Sequence, residues 1–247
     1  MKSLLVIGIL VLVVVIFFSD VLFGPRVFLD ANQYHYEPWL HYAEEGDLDH
    51  KTHRTDALFT YLPRKLHLNQ AVRDGRFPLW NPEILFGMPF FADPQTRVLY
   101  PFELLLVPLD PATAMGLDVA LHFLIAMIGM YLFLRSIRVS VPGALLGALT
   151  YPMSSFFYVR LGHPTFIATA AWIPWFFYAF EVARAHEWRG TLLLTGTLTM
   201  GYLAGFPQVL MFGAGGLCVY ALCTGLDARK PTRREGLLRN SRVIVIA

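Results

Sequence analysis

The chain has 247 residues, of which 55% are hydrophobic and 15% charged, with a formal net charge of +2. That is too apolar for an ordinary soluble domain of this length, so part of its solvent must be lipid. The charge excess is too small, and too little interleaved with exposed aromatics, for a nucleic-acid partner.

In chain order, Met1 and Lys2 precede a run from Leu4 to Phe18 that has the form of a signal-peptide core, but no small-x-small cleavage site follows it. The reading is an uncleaved first span over 1–23. Further apolar windows of about the length needed to cross a bilayer cover 114–134, 141–158, 165–183, 191–205 and 209–226. The last two are separated only by Phe206, Pro207 and Gln208, a tight turn or a kink. The expected fold class is therefore an all-α integral membrane protein, a multi-spanning helix bundle of about six transmembrane helices. Arg242 to Ala247 reads as the start of a seventh span, so the chain is expected to be a fragment of a longer protein. The organisation is a first span (1–23), a long loop (24–113), a transmembrane bundle (114–226) and a basic segment with the start of the next span (227–247).

Arg135 and Arg138 follow the second window, Arg184 and Arg189 the fourth, and Arg229, Lys230, Arg233, Arg234 and Arg239 the sixth. These clusters and Lys2 fall on one side, which the positive-inside rule makes the cytoplasm. The 24–113 loop then faces outside. Cys218 and Cys223 both lie in the last apolar window and read as packing residues; neither a disulfide framework nor a thiolate metal site is expected.

A loop of that length usually carries function. Its middle part predicts a helix: Pro63 suits a first helical turn, Leu62, Leu66 and Val72 recur at helical spacing, and Gly75 suits the C-terminal cap. The pattern fits an amphipathic helix on the membrane surface. Asp56, just before it, can be a general base held at the membrane surface or a turn or capping carboxylate. Asp30 lies near the end of the first span as a second candidate acid, although Tyr34, Tyr36 and Trp39 around it fit interfacial anchors equally. Asp47, Asp49, His50 and His53 form an Asp-x-Asp run with two histidines, which reads as a solvated loop, and no metal or other cofactor is expected. Arg64, Lys65 and Arg97 suit either a phosphate or lipid headgroups. In the bundle, Asp118 and His122 share one helix face and are expected to point into a cavity under the loop rather than at lipid. Transporters commonly set their sites at the midplane on broken, polar helices. Here the polar inventory is concentrated in the loop.

The run from Asp56 to Pro101 resembles the YfhO-type bacterial membrane proteins, grouped with the glycosyltransferases of the GT-C superfamily. The carrying motifs are Asp56 with Tyr61-Leu62-Pro63, then Gly75-Arg76-Phe77-Pro78-Leu79-Trp80-Asn81-Pro82, then Phe86-Gly87-Met88-Pro89-Phe90-Phe91-Ala92-Asp93-Pro94-Gln95, and Tyr100-Pro101. Gly162-His163 and Gly205-Phe206-Pro207-Gln208 match two further family positions, with Phe206 where the family often has His. The resemblance covers essentially the whole chain as the N-terminal part of a longer protein. It implies a bacterial cytoplasmic-membrane enzyme, with its N-terminus in the cytoplasm and its long loop outside. Such an enzyme transfers a sugar, with inversion, from a polyprenyl-phosphate-linked donor to a glycan, lipid or protein acceptor in the envelope. Asp56 best matches the loop acid that acts on the acceptor, with Asp93 as a second acid or a supporting group. The remaining candidates for substrate contact are Arg64, Lys65, Arg97, Tyr61, Trp80, Asn81, Gln95 and His163, and membrane lipid is a further partner. A different class also fits the residues: a non-catalytic transporter or scaffold for lipid or envelope-polymer assembly.

Overall fold

The structure, a computed structural model, describes residues 2–24, 39–42, 44, 56–84, 86–225, 241, 243 and 244. Asp30, Asp47, Asp49, His50 and His53 lie outside the described residues, as does most of 227–247.

The fold is mostly helical. Helix α1 spans Lys2–Phe17 and continues after a break at Phe18 into a short α2, Ser19–Leu22. Val6, Leu10, Val14 and Phe18, each four residues on from the last, form one buried face against the bundle core. Leu5, Ile7, Ile9, Val11, Leu12 and Ile16 are exposed on the others. A helix apolar all round with one face packed belongs against lipid, not water.

A π-helical turn, Ala57–Tyr61, leads into α3, Leu62–Arg73. A two-stranded antiparallel hairpin pairs β1, Trp80–Asn81, with β2, Met88–Pro89. A 3-10 turn, Pro94–Thr96, and α4, Pro101–Leu106, complete the segment before the bundle. Gly75 adopts positive φ at the end of α3, as the sequence predicted.

The bundle begins with α5, Pro111–Ser136, whose first turn is capped by Asp110 accepting from the Thr113 N–H at 3.1 Å. It continues through α6 (Val141–Thr150), α7 (Ser155–Val159), α8 (Pro164–Ala185), α9 (Glu187–Leu203) and α10 (Pro207–Gly225). The central packing is α8 against α5 and α9. It is close enough that a Cβ on Gly129 of α5 would stand 2.5 Å from the Trp175 ring of α8, so the helices approach only because that position has no side chain. The same indole donates to the Ile125 carbonyl at 2.9 Å.

Among the described residues, α5, α8 and α10 are long and apolar enough to cross a membrane, and α1 contains a shorter apolar stretch, Leu5–Phe17. The window over 141–158 is not one helix. Pro152 supplies no backbone N–H, and the chain turns between Thr150 and Ser155 before resuming as α7. The 191–205 window falls within α9, which at 17 residues is shorter than a typical span. Cys218 and Cys223 are exposed on α10 rather than packed, because the buried line of that helix runs through Val209, Gly213, Leu217 and Ala221.

The α3 helix docks through a largely polar face. Lys65, His67, Leu68, Asn69 and Ala71 are buried, whereas Leu66 and Val72 are exposed. The helix turns its polar face inward because the residues it docks on carry charges for that face to meet.

Candidate functional site

Two polar clusters lie where the segment before the bundle meets the first turns of α5 and α8. The first is open. Asp56 begins the π turn, which is pinned by Ala57 and Tyr61 packing on Met115 of α5. The Asp56 carboxylate makes no capping bond to that turn. It lies instead against His163, the N-cap residue of α8, with Oδ2 2.9 Å from Nε2, although 107 positions separate the two in sequence. The Asp56 side chain is 54% exposed and that of His163 18%. Beneath them the Tyr61 hydroxyl bonds Thr165 Oγ1 at 3.0 Å, and burial pushes the pKa of that hydroxyl up, so it stays protonated at neutral pH.

Arg64, one turn further along, forks between Asp93 Oδ2 at 2.6 Å and Gln95 Oε1 at 2.8 Å. Asp93 also caps the 3-10 turn, its Oδ1 accepting from the Gln95 N–H at 2.9 Å. Arg64, Asp93 and Gln95 therefore form one partly exposed unit. Asp56 does not fill the capping role that the sequence left open for it, whereas Asp93 caps its own turn.

The second cluster is sealed. Arg97 holds Asp118 through both terminal nitrogens at 2.6 and 2.9 Å and approaches Glu103 at 3.3 Å, while Lys65 is ion-paired with Glu103. All four side chains are buried, two cations against two carboxylates. Burial works against the Arg97 charge, but Asp118 and Glu103 more than offset it and hold the guanidinium charged above its ordinary range. A hydrogen-bonded chain continues from this cluster: Trp172 Nε1 to the Tyr100 hydroxyl at 2.9 Å, Tyr100 to His122 Nε2 at 2.6 Å, and His122 Nδ1 to the Asp118 carbonyl at 2.7 Å. Asp118 and His122 thus point into the interface under this segment. Lys65 and Arg97, taken from sequence as substrate contacts, have their charge met within the protein, so neither is open to a ligand.

A polar cavity of about 20 Å3, bounded by residues of both clusters including Tyr61, Arg64, Gln95 and Thr165, has room for about one water. The α9–α10 turn reaches the same end of the bundle. A Cβ on Gly205 would stand 2.7 Å from the Pro94 carbonyl oxygen and 2.9 Å from Arg97 Cγ, and Gly205 has a φ of 98°. Arg138 and Arg184 line a common surface with Glu181 where α5 and α8 end, at the opposite pole.

The other candidates are placed apart from the two clusters. Asn81 is buried and its Oδ1 accepts from the Glu83 N–H at 2.9 Å, which makes it a turn device of the hairpin. Trp80 is exposed beside Gly87. The sequence reading missed Arg160, an exposed cation whose guanidinium lies 4.7 Å above the Phe166 ring and whose carbonyl accepts from the His163 N–H at 2.8 Å. Its signal was the run Arg160-Leu161-Gly162-His163 between two apolar windows. Glu103, Tyr100 and Trp172 were missed too, since nothing local marks them as partners of Lys65, Arg97 and His122. Comparison with protein-family models, curated proteins and solved structures gave no match to this chain.

Proposed function

We propose that the protein is a membrane glycosyltransferase of GT-C type that moves a sugar from a polyprenyl-phosphate-linked donor to an envelope acceptor at the extracytoplasmic face. On this reading the chain crosses the bacterial cytoplasmic membrane six times, through α1, α5, α6 with α7, α8, α9 and α10. The arginine-bearing ends of α5 and α8 face the cytoplasm, and the segment with both polar clusters faces outside. The exposed Leu66 and Val72 of α3 would then rest at the headgroup level while its polar face stays on the protein.

The observation that carries the reading is the half-exposed Asp56 carboxylate beside His163, an acid oriented by a second side chain and left accessible. Asp56 accepts the proton of the acceptor hydroxyl. That oxygen bonds the anomeric carbon from the face opposite the phosphate, and the bond from the sugar to the phosphate oxygen breaks with its electron pair staying on the phosphate. Of the three cations taken from sequence, Arg64 is the one left partly exposed to meet that charge, and Arg160 adds an unforeseen second. The transport alternative has less support, since the buried charges are consumed by one another at one end of the bundle.

The test is transfer of labelled sugar from a polyprenyl-phosphate donor pool in membranes carrying the full protein. Asp56→Asn at matched expression should lower transfer by about 100-fold or more. Full transfer in both Asp56→Asn and Asp93→Asn would discard the enzyme reading in favour of a transporter or scaffold. Topology is tested separately: a single Cys placed at Thr52 should react with a membrane-impermeant thiol reagent in intact cells, and protection would reverse the orientation.

A further inference from the structure

We infer that the Asp56–His163 pair is polarised in one direction: His163 keeps its proton on Nε2 and donates it to Asp56 Oδ2, making His163 a positioning residue and leaving the carboxylate as the proton-accepting end. The role in transfer rests on the glycosyltransferase reading; the direction of the pair rests on geometry alone.

A neutral imidazole has one N–H to place. On Nε2 it meets the carboxylate at 2.9 Å. On Nδ1 it would be enclosed, because that atom is buried and has no hydrogen-bond partner among the described residues, and the bare Nε2 would face the carboxylate lone pairs. The residue that carries this ring is held on its backbone and flanked on one side. His163 is the N-cap residue of α8, its own N–H bonded to Arg160 and its carbonyl accepting from Phe166 and Ile167. The Tyr61 ring stands edge-on to it with centroids 6.1 Å apart, and Tyr61 is itself tied to Thr165 in the first turn of α8.

The roles in this pair are the reverse of those in a serine-protease triad, where the carboxylate orients the imidazole and the far ring nitrogen takes the proton. Here the far nitrogen is buried and has no hydrogen-bond partner among the described residues. The exposed member is Asp56, so a hydroxyl arriving from outside can reach the carboxylate and not the ring. During transfer the acceptor proton moves to Asp56, while the Nε2–H bond to Oδ2 stays in place and fixes the carboxylate's direction.

The experiment is 15N-histidine NMR on the full chain in lipid nanodiscs, with the His163 signal assigned by its loss in His163→Gln. We expect a proton on Nε2, a bare Nδ1, and a shift of the Nε2 signal in Asp56→Ala. A proton on Nδ1, or an Nε2 signal indifferent to Asp56→Ala, overturns the inference. The transfer assay supplies a second readout. His163→Ala should lower kcat by about 100-fold with KM unchanged, since misdirecting the base costs that much. His163→Gln, which retains a donor N–H, should recover most of the loss, and equal losses in the two variants would overturn the positioning role. The expected tautomer with no transfer even by the unsubstituted protein would support the pair's direction while removing the glycosyltransferase reading. The reverse tautomer with transfer abolished in Asp56→Asn would do the opposite.

Discussion

Arg64 and Lys65 are neighbours in sequence and opposites in the structure. Arg64 reaches outward to Asp93 and Gln95 in a partly exposed cluster, whereas Lys65 turns inward to Glu103 and joins Arg97 and Asp118 in a buried one. The two residues carry the same charge one position apart, on helix faces about 100° from each other. A cation's identity therefore says little about its task. Both cations are ion-paired within the protein, and what decides is how far the pair is closed to solvent: the sealed cluster buries two positive groups against two negative ones, whereas the Arg64–Asp93 pair stays partly exposed and Asp56 is half in solvent.

The comparison can be broken from its buried side first. Arg97→Met strands the Asp118 carboxylate out of water and leaves Glu103 with Lys65 alone, an expected loss of about 3–5 kcal/mol. It should be read as a lower unfolding temperature and lower yield in detergent. Adding Asp118→Leu should recover a large part of that loss, since a buried pair replaced on both sides leaves less uncompensated charge. Absence of any recovery would mean that Arg97 acts through something other than this pair.

The open cluster should answer in the other currency. Asp56→Asn should leave stability within about 0.5 kcal/mol, because an exposed carboxylate contributes little to folding, while transfer falls as described above. Unfolding curves of the variant and the unsubstituted protein, recorded in the same lipid, check this; a large drop in stability would move Asp56 into the structural class. The smallest effect is expected for Arg64→Gln. Its ion pair with Asp93 is partly solvated, and its loss should cost about 1 kcal/mol or less, with KM for the lipid-linked donor raised more than kcat is lowered. An unchanged KM would take Arg64 out of contact with the donor.

The long helices were the most legible part of the chain. The apolar windows over 114–134, 165–183 and 209–226 fall within or close to α5, α8 and α10, because a run of that length and composition has few other ways to satisfy its backbone. Pro63 and Gly75 marked the ends of α3 through their backbone chemistry. Hydrophobic counting overran at 141–158, where a single Pro152 interrupts a run that composition alone reads as continuous. For α3 the helical spacing was legible, but the burial of Lys65 and the loop's Arg97 against Glu103 and Asp118 was not, since those partners lie far along the chain.

The sequence by itself determined the long apolar helices, the ends of α3 at Pro63 and Gly75 and the concentration of polar residues before the bundle, since each depends on neighbours within a few positions. Only the tertiary structure decided which of those polar residues meet. Asp56 and His163 are 107 positions apart, Tyr61 and Thr165 are 104 apart, and Lys65 and Glu103 are 38 apart. Such pairings arise from how the π turn and α3 dock on α4, α5 and the start of α8, and no local propensity encodes them. The same docking sealed Arg97 away and left Asp56 open, because burial and counter-charge belong to the packed molecule and not to the residue type.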